Sequence, residues 1–113
     1  MVLKRVVRIP IYKYKITVIV SDTVEEVQKI YPEIGECHAC TLEGKYDSVV
    51  WFPPELDNII HECEHLKNNI WNYIGYTPQS NNDEVDAYLV SYLVNTITKI
   101  VIQHPSVNSM LNK

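Results

Sequence analysis

The sequence predicts a single α+β domain over residues 1–113, with a small, mostly antiparallel sheet against two long helices and one short helix. Three observations support it. Segments rich in β-branched and aromatic residues alternate with segments of helical periodicity. A chain of 113 residues is long enough for one modest core. Apolar residues make up 46% and charged residues 21% of the chain, so a disordered chain is excluded.

The first third of the chain predicts a strand and then a short helix. Ile9–Val20 is rich in β-branched and aromatic residues, and Pro10 restricts its first part to an edge or a strand start. Thr23 and Glu26 form a capping box at the start of the helix. Pro32 ends that helix because proline removes a hydrogen-bond donor.

The middle of the chain predicts two more strands and the first long helix. Gly35–Tyr46 is a loop plus a strand, with Gly44 near a turn. Asp47–Phe52 is a strand because it contains a short apolar run. The helix covers about Pro54–Ile74 and stops at Gly75.

The second long helix follows a polar loop, Thr77–Asn82, and Asp83 is its predicted N-cap. His104 and Pro105 end it. Its predicted apolar stripe consists of Val85, Leu89, Tyr92, Thr96, Ile100 and Val101. The expected order of elements is therefore strand, helix, two strands, helix, helix.

Charge limits the classes of partner. The net charge is −4, and the basic residues near the start (Lys4, Arg5, Arg8, Lys13 and Lys15) are not followed by further clusters. We therefore expect no nucleic-acid partner and interpret this basic start as a solvated strand edge.

No signal-peptide pattern and no apolar run of membrane-spanning length occurs, so we expect a cytoplasmic protein without a membrane partner. The three cysteines, Cys37, Cys40 and Cys63, are expected to be reduced thiols.

The motif with the clearest chemistry is H-E-x-x-H at residues 61–65. His61 and His65 are four residues apart, so on a helix they lie one turn apart on one face. Two imidazoles placed this way can bind one zinc ion. Glu62 lies beside them, where its carboxylate can take a proton from zinc-bound water.

A zinc site needs a third protein ligand, and Glu84 is the candidate. Two helices joined by a short loop pack side by side, so the start of the second helix can face the middle of the first. A carboxylate in the first turn of a helix also stabilises the helix dipole, which is the alternative role for Glu84.

The H-E-x-x-H motif, followed by Glu84 after an eighteen-residue gap, resembles the gluzincin metallopeptidases. Glu84–Ala87 resembles the E-x-x-A that begins the second zinc helix in some of them. The segment His61–Tyr92 is similar to compact, phage- or prophage-encoded proteins with a shortened gluzincin core.

This resemblance implies a minimal zincin-like fold that hydrolyses peptide bonds in a peptide or protein substrate. It implies that His61, His65 and Glu84 bind zinc and that Glu62 is the general base. It also implies that Val49–Phe52 is the edge strand that binds extended peptides.

Tyr88 departs from the family pattern. Many gluzincins have an aspartate four residues after the glutamate ligand, where this chain has Tyr88. Asp86 or Asp57 could replace that carboxylate, which would orient a ligand histidine. Tyr88 is also a candidate catalytic residue that stabilises an oxyanion, and packing in the core is the alternative role.

Other cysteines and histidines offer a rival metal site. Cys37 and Cys40 form a C-x-x-C that could join His61 and His65 in a structural Cys₂His₂ site, although the gap of twenty residues exceeds the usual finger spacing. The alternative is that both cysteines are small, half-buried residues. Core packing is expected for Cys63, Trp51 and Trp71, and surface positions for His38 and His104.

Three functions remain open on the sequence alone. The first is a zinc-dependent metallopeptidase. The second is a zinc-stabilised, catalytically inactive protein-interaction module of phage origin. The third is a structural Cys₂His₂ domain.

Overall fold

The computed structural model describes residues 1–10, 12–77 and 84–107. Its elements in chain order are β1 (Val2–Ile9), β2 (Tyr14–Ser21), α1 (Val24–Gln28), β3 (Cys40–Glu43), β4 (Asp47–Phe52), α2 (Ile59–Ile74) and α3 (Glu84–Val101). The predicted α+β class is confirmed. No helix in the described ranges is both long and apolar enough to cross a membrane.

The sheet has the strand order β1-β2-β4-β3. β1 pairs with β2 and β3 pairs with β4 in antiparallel orientation, whereas β2 and β4 run parallel. The sheet is therefore mixed, with two antiparallel pairs and one parallel pair, which agrees with the prediction of a mostly antiparallel sheet. Parallel strands need a crossover connection between them. Here the chain leaves the sheet after β2, passes through α1 and β3, and then forms β4 beside β2.

The first third of the chain forms a hairpin, so the prediction of one strand over Ile9–Val20 was wrong. Pro10 lies between the two strands, where it has no N–H to donate to a ladder. Lys13 has a φ of 55°, a left-handed conformation that completes the reversal. β1 is an edge strand, and its basic residues Lys4, Arg5 and Arg8 are exposed, as predicted.

Each face of the sheet has its own apolar core. Alternate residues of β2, such as Ile16 and Val18, pack with α2 and α3 in the larger core. Ile19 and Trp51 belong to a smaller core on the other face, together with Val27 of α1. The capping box that begins α1 is confirmed, because the Thr23 side chain accepts from the Glu26 N–H and the Glu26 side chain accepts from the Thr23 N–H.

α2 begins at Ile59, five residues later than predicted, and ends at Gly75 as predicted. Gly75 has a φ of 74°, which residues with a Cβ rarely adopt. The buried residues of α2 are Ile59, Glu62, Cys63, Leu66, Ile70 and Trp71. Glu62 is the one charged residue among these six.

The face of α3 that packs against the core differs from the predicted one. Its buried residues are Leu89, Leu93, Ile97, Ile100 and Val101, whereas Val85 and Tyr92 of the predicted stripe are exposed. Asp86, in the first turn, accepts a hydrogen bond from Trp71 Nε1 and lies 3.9 Å from Lys67 Nζ. The start of α3 is thus fixed to the second half of α2. The predicted N-cap, Asp83, lies outside the described residues.

Candidate metal centre

One face of α2 carries the side chains of the H-E-x-x-H motif. His61 and His65 lie one turn apart, and their Nε2 atoms are 3.3 Å apart. The ligand atoms of His61, Glu62 and His65 all lie within 4.8 Å of one another. They form the one such group of three or more His, Cys, Asp or Glu side chains in the described part of the chain.

The two histidines are exposed and Glu62 is buried. The His61 side chain is 71% accessible, whereas Glu62 as a residue is 5% accessible. Glu62 Oε1 accepts a hydrogen bond of 2.7 Å from Thr41 Oγ1 in β3, and Glu62 Oε2 lies 3.8 Å from His61 Nε2. One carboxylate oxygen is therefore held by the sheet while the other faces the histidines.

A cavity of about 330 Å³ lies between this face of α2 and β3. His61, Glu62, His65 and Asn69 line it from the helix. From the sheet and the loop before it, the lining residues are Glu33, Ile34, Gly35, Ala39, Cys40, Thr41, Leu42 and Glu43. The histidine pair therefore borders a space that a small ligand or part of a larger one can enter.

β3, rather than Val49–Phe52, is the edge strand beside this cavity. Val49–Phe52 belongs to β4, which pairs with β2 on one side and with β3 on the other. Predicting β4 as the edge strand was therefore wrong. In the described sheet β4 is the sole partner of β3, so the backbone on the far side of β3 is not paired with a strand.

Glu84 and Tyr88 lie outside the histidine group. α3 lies beside the stripe of α2 that includes Ile60, Glu64 and Trp71: Trp71 donates to Asp86, and the other two line small cavities together with α3 residues. That stripe is rotated by about 100° from the one that carries the two histidines. Glu84, on the first turn of α3, is not in the group of potential ligands, and its role as third ligand stays a prediction.

Tyr88 is 73% exposed, so the alternative of core packing was wrong for it. It does not line the cavity, and its role in oxyanion stabilisation stays a prediction. Two carboxylates were candidates to replace the family aspartate. Asp86 accepts a hydrogen bond from Trp71, and Asp57 is exposed.

The cysteines lie apart from the candidate ligand group. Cys37 and Cys40 are joined in a disulfide, so the expectation of reduced thiols was wrong for both. Neither belongs to the histidine group, which disfavours the Cys₂His₂ site. Cys63 is buried as predicted. Burial and, secondarily, the carboxylates of Glu62 and Glu64 raise the pKa of its thiol to about 12.

His104 is buried at 1% accessibility, so the prediction of a surface position was wrong. Its Nδ1 accepts from the Ser106 N–H at 3.2 Å, which leaves Nε2 to donate to the Met1 carbonyl at 3.2 Å. The expectations for His38, which is exposed, and for Trp51 and Trp71, which are buried, are confirmed.

Thr41 and Asn69 border the motif and were not predicted from the sequence. Asn69 donates to Ser48 Oγ at 3.0 Å, which joins α2 to β4. The spacing of Asn69 from His65 is four residues, so helical periodicity could have identified it. No signal in the sequence pairs Thr41 with Glu62, because they are twenty-one residues apart on different elements.

The chain matches no family model, and neither the curated proteins nor the solved structures include a significant match to it.

Proposed function

We propose that this chain is a zinc-dependent metallopeptidase of the gluzincin type, with a shortened zincin-like fold. One observation carries the proposal. Two histidines with their Nε2 atoms 3.3 Å apart share a cavity with a buried carboxylate and border an unpaired strand edge. Each feature has a separate task in the hydrolysis of a peptide bond.

The distance between the histidines fits a zinc ion. Two nitrogens that each lie about 2.0–2.1 Å from a tetrahedral metal are separated by about 3.3 Å. His61 and His65 have this separation without rearrangement. In a zinc-free state the same separation suits a hydrogen bond between the rings, with one nitrogen donating and the other accepting. Zinc bound there would lower the pKa of a water molecule and polarise a carbonyl group.

The surroundings of Glu62 support its proposed role as general base. Its Oε1 is held by the Thr41 hydroxyl, and its Oε2 is on the side of His61. A carboxylate held at one oxygen keeps the other in a fixed direction, where it can accept a proton from an attacking water and pass it to the leaving amine. Burial of Glu62 also excludes bulk water, which strengthens the electrostatic interactions of its carboxylate with the neighbouring groups.

The unpaired edge of β3 supports a peptide as the substrate. An extended peptide can add to an open strand edge through main-chain hydrogen bonds, which position one peptide bond without regard to its side chains. Thr41 and Glu43 point from β3 towards α2, since they contact Glu62 and Asn72. A peptide along this edge would therefore pass the histidine pair.

Glu84 completes the proposed ligand set. It is exposed and lies in the first turn of α3, where Trp71 and Lys67 contact Asp86, so ligation by Glu84 would require its side chain or this turn to move towards the histidines. The segment 78–83, which joins α2 to α3, lies outside the described residues.

A second function follows from the exposure of the histidines. A site with a 71% accessible histidine side chain and without Glu84 in its ligand group could hold zinc for stability or for contact with another protein. In that case the chain would be a catalytically inactive protein-interaction module, and the phage origin suggested by the resemblance would apply to it as well.

Peptide cleavage with zinc control tests the peptidase. The purified chain is incubated with a mixed peptide library in three states: as purified, after a chelator, and after return of one equivalent of zinc. We expect new peptide ends in the first and third states, read by mass spectrometry. Identical product patterns in all three states would contradict the proposal and favour the interaction module.

N-methylated substrates sharpen the test. A cleaved peptide is resynthesised in two versions, with methyl groups on alternate backbone nitrogens and with the nitrogen of the cleaved bond unmethylated in both. A peptide bound along β3 presents every second N–H to the strand, so one version should lose cleavage and the other should keep it. Equal loss in both versions would indicate a different binding mode.

A further inference from the structure

A second cavity adjoins the one at the histidine pair. Its volume is about 440 Å³, and Tyr31, Gly44, Asp47 and Val49 contribute to its lining. The two cavities share three lining residues, Glu33, Leu42 and Glu43. They adjoin at these residues, the second cavity on the side of Val49 and the smaller core, and the surface that both line, from the histidines to the turn at Gly44, is here called the β3 groove.

The β3 groove is acidic throughout. Glu62, Glu33, Glu43 and Asp47 line it, and no Lys or Arg of the described chain does. No ion pair within the described ranges joins Glu33, Glu43 or Asp47 to a lysine or arginine. Lys45, the nearest basic residue in sequence, lies with its Nζ 5.2 Å from the centre of the Tyr46 ring.

These carboxylates do not form, among themselves, a group of three or more ligand atoms close enough to hold one ion. In the described part of the chain, Glu62 and the two histidines form the one group with ligand atoms within 4.8 Å. Separate negative charges along a groove instead create a potential that favours cations distributed along an extended ligand.

We infer that the β3 groove selects extended peptides with lysine or arginine side chains close to the bond at the histidine pair. The main chain of such a peptide would add to β3. Its cationic side chains would lie against Glu33 and Glu43, with Asp47 at the far end of the groove. The inference rests on the proposed function and adds the substrate class to it.

Binding of matched peptides to the chelated wild-type protein tests the inference without turnover. Three fluorescent peptides have the same length and the same sequence except at alternating positions. Those positions carry lysine in the first peptide, glutamine in the second and glutamate in the third, and binding is measured by fluorescence anisotropy. We expect the lysine peptide to bind about tenfold more tightly than the glutamine peptide at low salt, and the glutamate peptide to bind most weakly. The preference should disappear in 1 M salt, where charges are screened beyond about 3 Å.

Two double variants locate the preference. Glu33→Gln/Glu43→Gln removes two charges from the groove, and both side chains are exposed, so the fold should persist. Glu25→Gln/Glu55→Gln removes two charges at exposed positions that line neither cavity. We expect the first variant to lose most of the lysine preference and the second to keep it.

The outcomes separate this inference from the proposed function. Equal binding of the lysine and glutamine peptides, or equal loss in both double variants, would overturn the inference. Cleavage of both peptides at one rate by the zinc-loaded protein would leave the peptidase in place and remove the selectivity. Selective binding of the lysine peptide without cleavage would leave the selectivity in place and remove the peptidase.

Discussion

The histidines of this chain occupy two opposite environments. His104 is buried at 1% accessibility, and each ring nitrogen is paired with a backbone group, the Ser106 N–H and the Met1 carbonyl. His61 and His65 are exposed, and their Nε2 atoms face each other across 3.3 Å beside a cavity. The difference lies in which partners the nitrogens have, since the side chains are chemically identical.

An imidazole can bind a metal only through a nitrogen whose lone pair is free. In His104 the backbone uses the Nδ1 lone pair and the Nε2 proton, so this ring contributes to the fold. In the pair on α2, each Nε2 has the other histidine as its partner, which a metal ion can replace. The comparison thus supports a structural role for His104 and leaves the pair on α2 as the candidate metal site.

The largest expected effect is the loss of zinc from the His61→Ala/His65→Ala variant. Removing both imidazoles leaves no pair of nitrogens in the cavity, so we expect no zinc after dialysis against limiting zinc, measured by elemental analysis. The wild type should retain one ion per chain. His38→Ala, at an exposed position outside the group, is the control and should retain zinc. Equal zinc in the double variant and the control would remove the proposed site.

The next effect concerns catalysis by Glu62. Glu62→Gln should lower turnover by about 10²–10⁴-fold, because an amide does not accept the proton that a carboxylate takes from water. The fold should persist, since the amide oxygen can still accept the hydrogen bond from Thr41. Turnover is measured on a peptide that the wild type cleaves.

Glu64→Gln is the matched control for Glu62→Gln. It makes the same chemical change two residues away, where Glu64 is exposed and pairs with Lys67 at 2.9 Å. Glu64 does not line the cavity beside the histidines, and Lys67 keeps Asp86 as a second carboxylate neighbour at 3.9 Å, so turnover should stay near the wild-type rate. If the two variants lose activity equally, Glu62 is not the base.

The buried histidine should affect stability and leave zinc binding unchanged. His104→Ala would leave the Ser106 N–H and the Met1 carbonyl without the ring and would open a cavity. We expect the free energy of unfolding to fall by about 1–3 kcal/mol, measured by urea denaturation. Zinc affinity, measured by titration of the folded variant, should equal that of the wild type. A marked loss of zinc with unchanged stability would reverse the roles assigned to the two sites.

Local signals in the sequence predicted much of this structure. Thr23 and Glu26 lie three residues apart, and Gly75 follows the last apolar residue of α2, so the ends of these helices depend on neighbouring residues. The H-E-x-x-H pair is also local, because residues four apart on any helix share a face. For this reason the closeness of His61 and His65 could be predicted without knowledge of the fold.

Features that depend on distant pairing could not be predicted. β3 has four residues, too few to reveal that it, and not β4, ends the sheet. The rotation of α3 depends on Trp71 and Asp86, which are fifteen residues apart on two helices. His104 is buried and bonds to the Met1 carbonyl, 103 residues away in the sequence. Sequence periodicity predicts local secondary structure and does not predict contacts between distant residues.

Glu84 is the site prediction that depends most on such pairing. As the third ligand it should contribute less than either histidine, and we expect Glu84→Gln to weaken zinc binding by about tenfold, the lower end of the loss seen for groups that support a metal site. The measurement is a competition titration with a chromophoric chelator. Asp57→Asn, at another exposed acidic position, is the control. Unchanged zinc affinity in Glu84→Gln would show that the histidine pair binds without α3.

The smallest expected effect concerns Thr41, which acts through Glu62 as a positioning residue. Thr41→Val has nearly the same shape but no hydroxyl, so Glu62 Oε1 would lose its 2.7 Å hydrogen bond. We expect kcat to fall by a few-fold, up to about tenfold, with KM nearly unchanged, because the base would lose its fixed direction while the strand edge is retained. Thr41→Ser restores the hydroxyl and should restore kcat, a rescue that packing alone would not provide. If Thr41→Ser is as slow as Thr41→Val, the methyl group rather than the hydrogen bond is responsible, and Glu62 does not depend on β3 for its orientation.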